Sequence, residues 1–186
     1  TMLALALVGG AVRAVSHAAL TAWSEAAGGS LLGLDSSSYF FRSVLLAREG
    51  FRTIESPALH FGTYDAAHYY LFAAIIGVLG PSLVVLQAMN WSMTTLAGPL
   101  AYAIARRTAP AHARTAGLLV ALHPSIVAIS VNDLLKDPSV IFLSLVAVWA
   151  LVRLARTPWT PTASAGPVLA GAVALSYVRM SRFYVS

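Results

Sequence analysis

The acidic residues of this chain are confined to two parts of the sequence. Five carboxylates lie within residues 24–68, and the other two lie within residues 132–138. They are Glu25, Asp35, Glu49, Glu55 and Asp65 in the first stretch, and Asp133 and Asp137 in the second. Soluble proteins mix acids and bases over their whole surface. The segregation therefore indicates that a bilayer keeps the acidic side of this molecule apart from the rest.

Composition supports a membrane protein and excludes several other classes. Hydrophobic residues make up 58% of the chain and charged residues 10%, whereas globular domains carry about 25% charged residues. The net charge of +5 does not indicate a nucleic-acid partner, because the arginines stand at the ends of apolar runs and form no basic stripe. The chain has no cysteine, which excludes disulfides and cysteine-based metal sites.

The apolar runs predict an all-α polytopic membrane protein with about five transmembrane helices, forming one transmembrane domain over residues 1–186. The predicted spans are residues 2–23, 83–105, 115–131, 139–152 with their flanks, and 166–182. A cleaved signal peptide is the alternative interpretation of residues 1–23. We expect the chain to be the N-terminal part of a longer protein.

The arginines predict the orientation of these spans. Two short loops without any acid contain Arg106, Arg107, Arg114, Arg153 and Arg156. By the positive-inside rule these loops face the cytoplasm. The loops 24–68 and 132–138 then face the exterior, which agrees with the position of the acids.

The first outer loop predicts two helices that lie on the membrane surface. Within residues 36–48, Phe40, Val44 and Ala47 share one helical face, Ser36, Ser37 and Ser38 offer N-cap oxygens, and Gly50 can close the end. Residues 66–79 are apolar but short for a core of about 30 Å, so we expect a juxtamembrane or re-entrant helix. The alternative is one bent span that continues through Pro81.

Three groups of residues are candidates for chemistry at the outer side. Asp35 follows the first span and suits a general base at the membrane surface, although a helix-capping role is the alternative. Asp133, Lys136 and Asp137 fall within one helical turn and suit a phosphate or hydroxyl, although a solvated loop explains them as well. The third group, Arg179 and Arg182, is three residues apart and suits a lipid phosphate or simple snorkelling.

Two further observations concern buried charge and metals. Arg13 lies within the first predicted span, where an arginine usually needs a partner. We expect that partner to be Asp35, Asp133 or a phosphate. The five histidines show no metal-ligand spacing, so no metal site is predicted, although the outer carboxylates would permit a divalent cation.

The order of several motifs resembles one family of membrane enzymes. Asp35 is followed by Tyr39-Phe40 and then by E-G-F at 49–51, and Tyr69 lies in H-Y-Y-L-F-A-A-I-I-G-V-L-G-P. A-Y-A-I-A-R-R-T, A-L-H-P-S-I-V-A-I-S and L-L-K-D-P-S-V-I-F-L come next. This order resembles the GT-C glycosyltransferases, in particular bacterial relatives of dolichyl-phosphate-mannose protein mannosyltransferases and aminoarabinose transferases. His68 departs from the family, which often has proline there.

The resemblance implies a sugar transfer at the outer face of the bacterial inner membrane. The donor would be a polyprenyl-phosphate-linked sugar, and the acceptor a glycan, lipid or protein hydroxyl. Asp35 matches the family's catalytic aspartate. Asp133, Lys136, Asp137, Arg179, Arg182, Tyr39 and Tyr69 would form the substrate site, with no obligatory cofactor. The alternatives are a transporter or flippase of a lipid-linked sugar, and a membrane scaffold without catalysis.

Overall fold

The computed structural model describes residues 1–27, 34–51, 66–131, 134–156 and 160–181, without the side chains of Leu34 and Asp35. Every regular element in these ranges is helical. In chain order they are α1 (Met2–Ala26), α2 (Leu34–Arg48), α3 (Ala66–Leu79), α4 (Leu83–Thr108), a 3-10 turn (Pro110–His112), α5 (Ala113–Leu122), α6 (Pro124–Val131), α7 (Asp137–Arg156) and α8 (Pro161–Ser181).

Helix α4 lies at the centre of the bundle. It packs against α1, α5 and α7, while α8 packs on the far side of α7 and α2 packs on α3. Small residues permit the closest approach, between α4 and α5. A Cβ atom added at Gly98 would lie 2.8 Å from the Cβ of Ala121 and 3.1 Å from the carbonyl oxygen of Gly117. Only a residue without a side chain fits at such a helix crossing.

The number of spans is smaller than predicted. Helices α1, α7 and α8 are long and apolar enough to cross a membrane, and a fourth span results if the bent pair Pro110–Leu122 and Pro124–Val131 is one crossing. The prediction of five spans is therefore wrong by this measure. The predicted span that is missing from this count is α4. Its 26 residues are long enough to cross a membrane, but they include the polar residues Asn90 and Thr94, which are fully buried. These two polar residues of α4 therefore face other helices and not lipid.

The predicted span over residues 115–131 is broken in the middle. Helix α5 ends at Leu122, α6 begins at Pro124, and their axes differ by 40°. His123 between them has φ −59° and ψ 120°, which is not helical. Proline disfavours the helical conformation of the residue before it and has no N–H to continue the hydrogen-bond ladder. Pro124 is therefore the cause of the break.

Both predicted helices of the first outer loop are present. Helix α2 has 15 residues and α3 has 14, and Phe40, Val44 and Ala47 pack against a buried cluster that includes Phe72, as their shared face predicted. Helix α3 ends before Gly80-Pro81 and Ser82 caps α4, so residues 66–108 are not one continuous helix. The position of these helices relative to a membrane surface stays a prediction.

The two ends of α2 differ in how well the sequence predicted them. Gly50 has a φ of +67°, and its N–H donates to the carbonyl of Ala47 while that of Phe51 donates to Leu46. These two bonds form a Schellman cap, as expected from Gly50. The predicted serine N-cap is wrong, because α2 begins at Leu34 and Ser36 lies inside its first turn.

Chain direction places opposite charges at opposite ends of the bundle. Met2 at the start of α1 shares a cleft with Arg106 and Arg107 at the end of α4 and with Trp149 near the end of α7. Glu25 is in the last turn of α1 and Asp137 is in the first turn of α7, so both lie toward the other end. The predicted separation of arginine loops from acids is therefore present in the helical packing.

Candidate functional site

The candidate site lies where α2, α3 and α8 meet the segment 134–136. The hydroxyl of Ser36 in α2 accepts a 2.9 Å hydrogen bond from the backbone N–H of Leu134. Both residues are completely buried. This bond joins the first turn of α2 to the segment 134–136.

His68 connects three elements at the same place. It is completely buried, with Nε2 2.9 Å from the carbonyl oxygen of Leu134 and Nδ1 2.9 Å from the hydroxyl of Tyr177 in α8. A carbonyl oxygen can only accept, so Nε2 carries the hydrogen. In the neutral ring Nδ1 then accepts the hydrogen of Tyr177. His68 therefore holds α3, α8 and the second loop together through one side chain.

In the sequence, His68 stands out only as a departure from the family pattern. The sequence does contain a signal for the structural role of His68, because a histidine within an apolar helix must find hydrogen-bond partners when it is buried. What the sequence does not contain is the identity of those partners, which lie 66 and 109 residues further along the chain.

An aromatic cluster borders His68. The ring of Tyr39 meets the His68 ring edge-on, with centroids 4.8 Å apart, and lies 5.1 Å from the ring of Tyr69. The Nη1 atom of Arg42 donates to the hydroxyl of Tyr69 at 3.3 Å. Only 7% of Tyr39 is exposed. The two tyrosines predicted to bind substrate thus lie at the site, but protein covers most of Tyr39.

The acid–cation group of the second loop is partly integrated into α7. The carbonyl of Lys136 accepts from the N–H of Val140 and so begins the helix, and Asp137 is its first residue. Asp137 is exposed and Lys136 is half-buried. A carboxylate in the first turn of a helix is favoured by the helix dipole. Asp137 therefore has a structural role whatever its role in binding.

Arg179 is not brought to this cluster by any contact that the structure gives. It is exposed in the last turn of α8, two residues beyond Tyr177. Residues two apart on a helix point about 200° apart, so Arg179 faces away from the side that meets His68. Asp133, Arg182 and the side chain of Asp35 lie outside the described residues. The backbone of Asp35 is the second residue of α2.

A second polar network lies deeper in the bundle, around the break between α5 and α6. Arg13 is completely buried. Its Nε donates to the hydroxyl of Thr94 at 2.9 Å, and its Nη1 donates to the carbonyls of Gly9 at 2.9 Å and Ala121 at 3.0 Å. Thr94 in turn contacts the carbonyl of Asn90 at 3.0 Å.

The expected partners of Arg13 stay a prediction, because Asp133 and the side chain of Asp35 lie outside the described residues. The hydrogen-bond partners that the structure gives Arg13 are all neutral. The break after Leu122 explains why Arg13 bonds to a backbone carbonyl. A helix leaves its last four carbonyls without N–H partners, and Ala121 is one of them here. In a membrane such a carbonyl needs another donor. Arg13 supplies one, and its charge suits the negative end of the α5 dipole.

Side chains of other helices also contact backbone carbonyls further along the chain. His17, one turn after Arg13, has Nδ1 2.9 Å from the carbonyl oxygen of Val131, the last residue of α6. Asn90 Nδ2 donates to the carbonyl of Leu135 at 3.3 Å. Together with the bond between His68 and Leu134, side chains of α1, α3 and α4 thus contact four backbone carbonyls, those of Ala121, Val131, Leu134 and Leu135.

Metal binding receives no support from the described part of the chain. Within it, no group of three histidine or acidic side chains is close enough to hold a metal ion. Two of the predicted outer carboxylates, those of Asp35 and Asp133, belong to the undescribed part, so the possible divalent cation stays a prediction.

Comparison with protein families, with curated proteins and with solved structures gives no match to this chain. The resemblance to GT-C glycosyltransferases therefore rests on the order of its sequence motifs alone.

Proposed function

We propose that this chain contributes to the transmembrane core of a GT-C-type glycosyltransferase. In this proposal it moves a sugar from a polyprenyl-phosphate-linked donor to the hydroxyl of a glycan, lipid or protein acceptor. The reaction takes place at the exterior face of the membrane, which for a bacterial protein is the periplasmic face of the inner membrane.

The observation that carries the proposal is the hydrogen bond between Ser36 and Leu134. Ser36 is the neighbour of Asp35, and Leu134 is the neighbour of Asp133. The bond therefore joins the two stretches of chain that carry these aspartates. Lys136 follows Leu134 by two residues. The proposed base, a second acid and a cation thus come from stretches of chain that are joined at the acidic end of the bundle.

Each group has a defined task in the proposed transfer. The carboxylate of Asp35 takes the proton of the acceptor hydroxyl as that oxygen attacks the anomeric carbon. The bond between this carbon and the lipid phosphate oxygen breaks, and its electron pair stays on the phosphate. The phosphate therefore gains negative charge, which a nearby cation stabilises. Lys136 is the best supported cation, and Arg179 and Arg182 are further candidates.

The charge distribution supports the proposed orientation. The arginine-rich ends of α4 and α7 lie at one end of the bundle, and Glu25 and Asp137 lie toward the other. The positive-inside rule assigns the arginine-rich end to the cytoplasm. The site around His68 and Leu134 is then exterior, on the side where the polyprenyl-linked donor is expected.

The test is transfer by the purified protein with a synthetic polyprenyl-phosphate sugar. Asp35→Asn should abolish transfer and keep the fold, because it preserves shape and removes the base. Glu49→Gln is the matched control, since it neutralises a carboxylate at the opposite end of α2 and should keep transfer. Lys136→Ala should weaken use of the donor more than use of the acceptor. Near-normal transfer by Asp35→Asn would show that Asp35 only stabilises the helix.

The broken span favours a second candidate, a transporter or flippase of a lipid-linked sugar. Transporters often have interrupted helices and polar residues near the middle of the membrane, and here the break after Leu122 lies beside buried Arg13, Asn90 and Thr94. Against it, these side chains bind backbone carbonyls of the same protein. Reconstituted vesicles distinguish the candidates, because Asp35→Asn should stop a transferase and leave lipid translocation unchanged.

A further inference from the structure

The end of the bundle opposite the candidate site carries a cationic cleft that the proposed transfer does not use. Its volume is about 430 Å³, and it is lined by Met2 of α1, by Tyr102, Arg106 and Arg107 of α4, and by Trp149 of α7. Ligand clefts of proteins usually measure roughly 300–1,000 Å³, so the cleft can hold a small headgroup.

The positive charge of this cleft is not neutralised by the helices that form it. Helix α4 contains no acid, Glu25 is about 35 Å along α1 from Met2, and Asp137 is about 24 Å along α7 from Arg153. The guanidinium of Arg153 lies 5.5 Å from the centre of the Trp149 ring. Its Nε is buried and has no hydrogen-bond partner among the described residues. Among the described residues, three guanidinium groups thus stand at or beside the cleft without a carboxylate partner.

The surroundings of the cleft favour a lipid over a soluble anion. Tyrosine and tryptophan are enriched at the level of lipid headgroups, and Tyr102 and Trp149 both line the cleft. The apolar surface next to the cleft is open, since 46% of Met2, which lines the cleft, and 72% of Leu3 are exposed. A headgroup in the cleft would therefore have lipid-facing helix surface beside it for its acyl chains.

We propose that this cleft binds the phosphate headgroup of an anionic phospholipid. The planar guanidinium groups of Arg106 and Arg107 donate to the phosphate oxygens, a geometry that arginine fulfils in pairs of parallel hydrogen bonds. Basic pockets between transmembrane helices are suited to such headgroups. The site is independent of the proposed sugar transfer, because it lies at the other end of the bundle and shares no residue with it.

The experiment measures lipid retention by the purified, delipidated protein with native mass spectrometry. Palmitoyl-oleoyl phosphatidylglycerol and the zwitterionic phosphatidylcholine with the same acyl chains are added in equal amounts. We expect the phosphatidylglycerol adduct to be favoured about tenfold. Arg106→Gln combined with Arg107→Gln should remove most of this preference, and Arg107→Gln alone should reduce it in part.

The matched control is Arg114→Gln combined with Arg156→Gln. Both arginines are exposed near the same end of the bundle and neither lines the cleft, so the control removes equal charge and should keep the preference. An equal loss in the control would overturn the proposal in favour of general charge attraction. Equal binding of phosphatidylcholine, or displacement of the lipid by 10 mM inorganic phosphate, would also overturn it. A gel-filtration profile like that of the unmodified protein verifies that each variant is folded.

Discussion

Replacing Arg13 with methionine tests whether its buried hydrogen bonds hold the broken span in place. Methionine has similar length and no charge, so the variant keeps the packing and removes all three donated bonds. Gly9 and Thr94 retain other partners within their own helices. Ala121 lies past the end of the α5 ladder, so its carbonyl loses its donor.

The expected loss of stability follows from the unpaired carbonyl of Ala121. A buried acceptor left without a partner costs about 1–3 kcal/mol. For a chain of 186 residues, each kcal/mol corresponds to roughly 2–4 °C in melting temperature. Arg13→Met should therefore lower the melting temperature by roughly 2–12 °C, measured by gel filtration after heating in detergent.

A double-mutant cycle isolates one bond of the network. Combining Arg13→Met with Thr94→Val should give a coupling energy of about 0.6 kcal/mol and at most about 1.7 kcal/mol, the mean and the maximum that double-mutant cycles give for hydrogen bonds between membrane helices. The control pairs Arg13→Met with Ser92→Ala, because the hydroxyl of Ser92 is exposed and bonds only within its own helix. That pair should be additive within about 0.5 kcal/mol. Additive behaviour of the Thr94 pair, or no loss of stability in Arg13→Met, would refute the reasoning.

Two further predictions concern orientation and packing. The chain has no cysteine of its own, so each introduced cysteine can be labelled alone. A membrane-impermeant maleimide should label Glu25→Cys on intact cells and reach Ala111→Cys only after permeabilisation. Labelling of position 111 from outside would reverse the proposed orientation. Gly98→Ala should destabilise the bundle by about 1–3 kcal/mol through overpacking, because its new Cβ would lie 2.8 Å from the Cβ of Ala121. The control Gly166→Ala should be tolerated, since its Cβ would have no atom within 4 Å. Equal thermal stability of the two variants would contradict the close helix crossing.

The features that the sequence predicted well depend on local patterns. The apolar face of Phe40, Val44 and Ala47 needs only the helical repeat, and the cap at Gly50 needs only a residue that tolerates a positive φ. The helix 66–79 was predicted from its run of apolar residues and the following Gly80-Pro81. In each case the deciding contacts lie within a few residues in the chain.

The features that the sequence did not predict depend on contacts between distant residues. Hydropathy along α4 does not reveal that Asn90 and Thr94 face other helices. The partner of Arg13 was expected to be charged, since nothing in a sequence window identifies the carbonyl of Ala121, 108 residues away, as an unpaired acceptor. His68 is a similar case, because its role depends on Leu134 and Tyr177.

The order in which the broken span receives its donors has a consequence for biosynthesis. Arg13, His17, His68 and Asn90 all precede the carbonyls that they bind, by 45 to 114 residues. Because the ribosome makes the chain from its N-terminus, α1, α3 and α4 already exist when residues 113–135 emerge. The interrupted segment can therefore enter the bilayer against helices that satisfy its backbone at once. A chain permuted to begin at residue 113 would expose the same carbonyls to lipid before any donor was made.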